Sequence, residues 1–116
     1  MDIAFIRDYC LSKNGVTEAF PFDNETLVFK VMGKVFLLIG INSNPIQFNV
    51  KCAPELAIEF REKYDFVLPG YHMNKKHWNT IIYNGSNAKI LKEMIDASYN
   101  LVVAGLPKST QSQFIK

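Results

Sequence analysis

The chain has 116 residues, 48% of them apolar and 21% charged, with a formal net charge of +2 at pH 7. That length makes one domain and leaves no room for a second core. No apolar run approaches the roughly 20 residues that cross a bilayer, and so small a charge excludes a generic polyanion-binding surface, so any anion site must come from local clustering of cations.

The N-terminal stretch Met1–Asp8 lacks a basic start, and Arg7 and Asp8 interrupt its apolar run, so no export signal is read there and a cytoplasmic chain is expected. Helical spacing of Ile3, Ile6, Tyr9 and Cys10 predicts a first helix over about 3–13, capped by Asp2 and stopped at Asn14-Gly15. Residues 16–25 read as a connector in which Phe20 and Phe22, either side of Pro21, are expected to plug the core. Three strands are predicted next. The first, 26–31, ends at a Met32-Gly33 turn. The second, 34–41, is almost continuously apolar and is expected to be the most buried. The third, 46–51, sends Ile46, Phe48 and Val50 one way and Gln47, Asn49 and Lys51 the other, which predicts a sheet with one apolar and one wet face.

Pro54 opens a second helix at a position where its missing N–H costs nothing, with Leu56, Ala57, Phe60 and Tyr64 as its buried side. Residues 65–77 carry neither period. A connection that long inside a small domain is usually functional or hides a short turn. Residues 78–83 predict a fourth strand. The last helix is capped by Ser86 or Asn87, buries Leu91, Met94, Ile95, Ser98 and Val102, and stops at Gly105 and Pro107. The predicted order is α-β-β-β-α-β-α, an α+β two-layer sandwich with helices on one face of an antiparallel sheet, forming one domain over 1–107 with a flexible polar tail over 108–116.

The stretch from Gly70 to Thr80 holds both histidines, the single tryptophan and the adjacent pair Lys75-Lys76. Cations to neutralise phosphates, amides to fix register and flat side chains to stack are what nucleic-acid binding requires. Lys75 and Lys76 supply the first, Asn74 and Asn79 the second, and Tyr71, His72 and His77 the third. Lys34 and Lys51, with Lys30 in support, extend the basic set into the hairpins. Trp78 reads better as a core residue at a strand start.

Phe20-Pro21-Phe22, residues 26–31, Asn49-Val50-Lys51-Cys52, the whole block from Pro69 to Thr80 and the ending Ser98 to Pro107 together resemble the MmcQ/YjbR family. The resemblance runs from the first helix to Leu106. It implies a frataxin/CyaY-like α+β sandwich, and members are commonly described as DNA-binding proteins with a double wing of β-hairpins. Where members often carry acidic residues at the start of the last helix, this chain has Asn87-Ala88-Lys89.

Other chemistries fit less well. His72 and His77 are five residues apart, which does not place them on one helix face, and the block contains no Cys or carboxylate, so no metal site and no cofactor are expected. The cysteines read as reduced thiols. Cys52, just ahead of Pro54, has a position that allows a modest lowering of its pKa, but no nucleophile elbow, phosphate loop or paired carboxylates accompany it, and no enzyme is expected. The expected function is DNA binding through Lys34, Lys51, Tyr71, His72, Asn74, Lys75, Lys76, His77 and Asn79. The alternative is a small protein-interaction module using a wet sheet face and exposed edges, with a protein partner or a second copy and no membrane.

Overall fold

In the computed structural model residues 2–70 and 73–112 are described. Helix α1 (Ile3–Leu11) begins at Asp2, whose side chain accepts from the Phe5 N–H at 2.8 Å. It is followed by the strands β1 (Val16–Ala19), β2 (Thr26–Val31), β3 (Lys34–Gly40) and β4 (Gln47–Lys51), then helix α2 (Pro54–Lys63). Strands β5 (Val67–Pro69) and β6 (Trp78–Ile82) complete one antiparallel sheet in the order β1-β2-β3-β4-β6-β5, and α3 (Ala88–Ala104) and the short α4 (Lys108–Gln111) close the chain. The antiparallel α+β layering read from the sequence holds. Two short edge strands join it, β1 inside the expected connector and β5 inside the aperiodic stretch; at three and four residues, neither displays a period. The expected tail begins with a helical turn whose end is tied back by the Gln111 amide donating to the Leu106 carbonyl at 2.7 Å.

The core lies between sheet and helices. Leu27, Phe29 and Val31 of β2, Leu37 and Ile39 of β3, Phe48 and Val50 of β4, and Ile81 of β6 turn to that side, which α3 covers with the five residues its helical spacing predicted. A register shift between Phe29 and Lys30 makes room for one extra residue in β3 and turns Phe36 inward as well, edge-on to Tyr99. Ser98 pins α3 to the sheet: its hydroxyl donates to the Phe36 carbonyl at 2.6 Å and accepts from the Lys51 N–H at 2.9 Å. Asp96 ties α3 to α1, accepting from the Tyr9 hydroxyl at 2.7 Å and pairing with Lys13 at 2.5 Å.

Three local expectations are corrected. Phe20 and Phe22 are 45% and 72% exposed, so the Phe-Pro-Phe segment is not a core plug; the polar residues around it keep it on the surface. Leu56 is 45% exposed because α2 meets the sheet chiefly near its edge, at β5 and β6, and Ala57 takes the inward position. Asn87 precedes α3 without capping it by its side chain: its amide instead donates to the Ile82 carbonyl and accepts from the Asn84 N–H, closing the preceding turn.

Candidate nucleic-acid interface

Strand register decides where the lysines go. Met32 and Gly33 have φ of 49° and 84°, the conformation of a tight two-residue hairpin turn, and this turn, the end of β4 and the start of β6 all lie at one end of the sheet. Lys34 follows the turn, Lys51 ends β4 opposite Trp78, and Lys75 and Lys76 sit in the turn just ahead of β6. These four share an end of the sheet but not a face. Lys34 pairs with Val31, a helix-side residue, whereas Lys51 alternates with Gln47 and Asn49 toward the open side. Lys30 also points to the open side, and β2 and β4 flank β3, so Lys30 and Lys51 stand about 10 Å apart. Among the described residues the ion pairs are Arg7–Glu18 and Lys13–Asp96, which involve none of these five lysines.

The 74–78 turn is held from several directions. The Asn74 carbonyl accepts from the N–H groups of His77 and Trp78 at 3.1 and 3.0 Å, and its side-chain oxygen accepts from the Lys76 N–H at 2.9 Å. The Arg61 guanidinium, reaching across from α2, donates to the Lys75 carbonyl. The His77 carbonyl accepts from the Cys52 N–H at 2.7 Å, joining the turn to the end of β4. Lys75 and Lys76 are therefore exposed side chains on a fixed backbone, and Asn74 serves that backbone.

Asn79, expected among the binding residues, is instead buried. It is 1% exposed, facing the helix layer opposite Val50, and its amide accepts from Arg61 Nε at 2.7 Å and donates to the Ala57 carbonyl at 3.2 Å. Alternation from Trp78 dictates this, because Asn79 shares its side of the strand with Ile81. Tyr71 and His72 lie outside the described residues. His77 is half-buried. Among the described residues no three His, Cys, Asp or Glu side chains gather at metal-binding distance. Cys52 is not activated: burial pushes its thiol up, outweighing the nearby Arg61 charge. Cys10, fully buried in the core, is pushed up to about 12 by the same cause.

The open face of the sheet is less wet than the alternation of β4 predicts. Beside Gln47, Asn49 and Thr80 it carries Leu38 and Leu68, and Val28 lies fully buried on this side between Ala19 and Leu38. A cleft of about 750 Å³ occupies this face, with Phe22, Leu38, Leu68 and Met73 among its apolar walls and Gln47 and Asn49 among its polar groups. Thr80 donates to Asn49 Oδ1 at 2.5 Å across the cleft floor. By strand alternation no carboxylate projects from any of the six strands on this face; Glu18, the strands' acid, pairs with Phe29 on the helix side and binds Arg7. The near-continuous apolar run of β3 is the sequence signal for this second apolar surface. Arg61 left no signal, being one cation on an amphipathic helix.

Fold and site together define a single α+β sandwich whose sheet has one face without helices, bordered by lysines, from which no strand carboxylate projects. The chain belongs to the YjbR family, which it matches over residues 11–101. It is 38% identical to YbdF of Escherichia coli O157:H7 over 96 residues, covering 81% of this chain and 78% of that one. It is 30% identical to YjbR of Escherichia coli K12 over 118 residues, covering 100% and 99%. The solved structure of Deinococcus radiodurans DR2400, of family DUF419, superposes with a TM-score of 0.89 at 36% identity over 97% of this chain and 86% of that one. A Pseudomonas syringae protein of known structure superposes with a TM-score of 0.73 at 29% identity, over 87% and 98%. No helix among the described residues is long and apolar enough to cross a membrane.

Proposed function

We propose that this chain is a cytoplasmic DNA-binding domain that acts by binding and not by catalysis. Its phosphate contacts come from Lys51, Lys75 and Lys76, with Lys30 and Lys34 at the margins of the same sheet end. The observation that carries the reading is the gathering of five lysines from three separate segments at one end of the sheet, none of them ion-paired within the described residues. The fixed 74–78 backbone supports it further, since phosphate contacts set register best from a rigid element. The raised pKa values of Cys10 and Cys52 support the non-catalytic part, because a protonated buried thiol is a poor nucleophile.

Titration of labelled DNA at two or more salt concentrations tests this. Contacts from all five lysines give a log–log salt slope of about −4 to −5. Lys75→Ala/Lys76→Ala should weaken binding and reduce the slope by about 2. Absence of binding at low salt, or binding indifferent to that double variant, rejects the reading.

A second reading, a protein-interaction module, draws support from α2, where Leu56 and Ile58 are 45% and 55% exposed beside the edge strand β5. Light scattering on the purified protein examines it: a concentration-dependent dimer abolished by Ile58→Glu favours this alternative.

A further inference from the structure

We infer that the cleft on the open face of the sheet receives an unpaired nucleobase, so that the nucleic acid bound by this domain is single-stranded. The inference rests on the DNA-binding reading above and names the form of nucleic acid that reading leaves open. A duplex keeps its bases stacked and offers a groove edge or a phosphate surface; a single strand offers flat apolar faces and free amide-like edges. The cleft is built for the second. At about 750 Å³ it falls in the size range of small-molecule sites and exceeds what one base needs.

Its walls and floor divide by chemistry. Phe22 is 72% exposed and Leu68 is 43% exposed, each offering apolar surface to a planar ring. Gln47 and Asn49 bring carboxamides, the side chains that match the donor–acceptor edge of a base. Asn49 uses its oxygen to accept from Thr80, which fixes the amide plane within the cleft.

Charge follows the same line. Lys51 is two residues beyond Asn49 on the same strand and the same face, so a backbone phosphate near Lys51 lies about 7 Å along the strand from the base edge read by Asn49. Lys30 holds the matching position on β2, two residues beyond the buried Val28. No strand carboxylate projects from this face, and the Asp23 carboxylate beside Thr26 stands at the opposite end of the sheet from Lys30 and Lys51.

The test is a fluorescence-anisotropy titration of the whole chain with three labelled probes at one low salt concentration. The probes are a short mixed-sequence single strand, its duplex, and the same single strand with abasic sites replacing its central bases. The single strand is expected to bind about tenfold or more tighter than either of the others. Phe22→Ala and Gln47→Ala, both at exposed positions and so harmless to folding, are expected to weaken the single strand several-fold and leave the duplex unchanged. Duplex binding equal to or tighter than single-strand binding, or an abasic strand bound as well as the intact one, overturns the base-binding cleft while leaving the lysine contacts standing. Failure of all three probes to bind overturns both.

Discussion

Arg61 Nε donates to Asn79 Oδ1 at 2.7 Å, and the same guanidinium reaches the carbonyl of Lys75. One side chain of α2 thus satisfies a buried amide in β6 and clamps the turn that displays Lys75 and Lys76. The backbone that displays these two lysines is thus held by a side chain from a neighbouring helix.

Arg61→Ala removes both contacts. The buried Asn79 oxygen loses its donor, an omission that costs about 1–3 kcal/mol. The expected result is a lower Tm in thermal unfolding and faster hydrogen exchange at His77 and Trp78, whose N–H groups the turn protects. An unchanged exchange pattern contradicts the clamp.

Ser98→Ala is expected to be costly for its size. The hydroxyl is fully buried and serves two backbone groups, the Phe36 carbonyl and the Lys51 N–H. Both lose a partner and water cannot replace it, so destabilisation of about 2 kcal/mol or more is expected in urea unfolding. A loss within about 0.5 kcal/mol of zero speaks against this bridge between α3 and the sheet.

Gly70→Ala tests close packing beside the site. An added Cβ at Gly70 stands 2.9 Å from both the Cβ and the carbonyl oxygen of Trp78, and the latter accepts from the Gly70 N–H. Backbone cannot yield cheaply, so β5 must shift against β6. A loss of about 1–3 kcal/mol is expected, with a change in Trp78 fluorescence that reports the shift.

Stability should fall on the alkaline side. The Cys10 thiol is pushed from 9.0 to about 12 by burial, and the Tyr9 hydroxyl from 10.0 to about 12 by burial and by its hydrogen bond to Asp96. Both groups hold their protons more tightly when folded. Their contribution is therefore complete below pH 9, and it is lost as pH rises from 9 toward 12, where the unfolded chain releases these protons first. Urea midpoints should be lower at about pH 10.5 than near pH 7, with a shallower decline in Cys10→Ala.

Lys75→Ala/Lys76→Ala separates binding from folding. Both side chains are exposed and free of ion pairs with described residues, so the variant's Tm should stay close to that of the parent, within about 0.5 kcal/mol of stability. Loss of DNA affinity with an unchanged Tm assigns these lysines to the interface; a parallel drop in Tm assigns them to the fold.

Much of the architecture was legible in the residues. The inner stripe of α3, the inward set Phe48 and Val50, and the Met32-Gly33 turn follow from periodicity and from turn chemistry. Lys75 and Lys76 were legible as candidates because charge and exposure go together in a polar turn. Asn79 departs from the expectation because strand alternation outweighs residue type there. An amide beside lysines looks like a donor to a ligand, whereas its parity with Ile81 sends it into the helix layer.

Local sequence determined the helices, the longer strands and one tight turn, because these depend on neighbours a few residues apart. Tertiary structure decided what those elements display. Antiparallel register carried Lys30, Lys34, Lys51 and the Lys75-Lys76 turn to one end of the sheet, and edge strands too short to show a period completed the open face. Pairings over such separations are set by which strands lie side by side, and that is fixed only when the whole core closes.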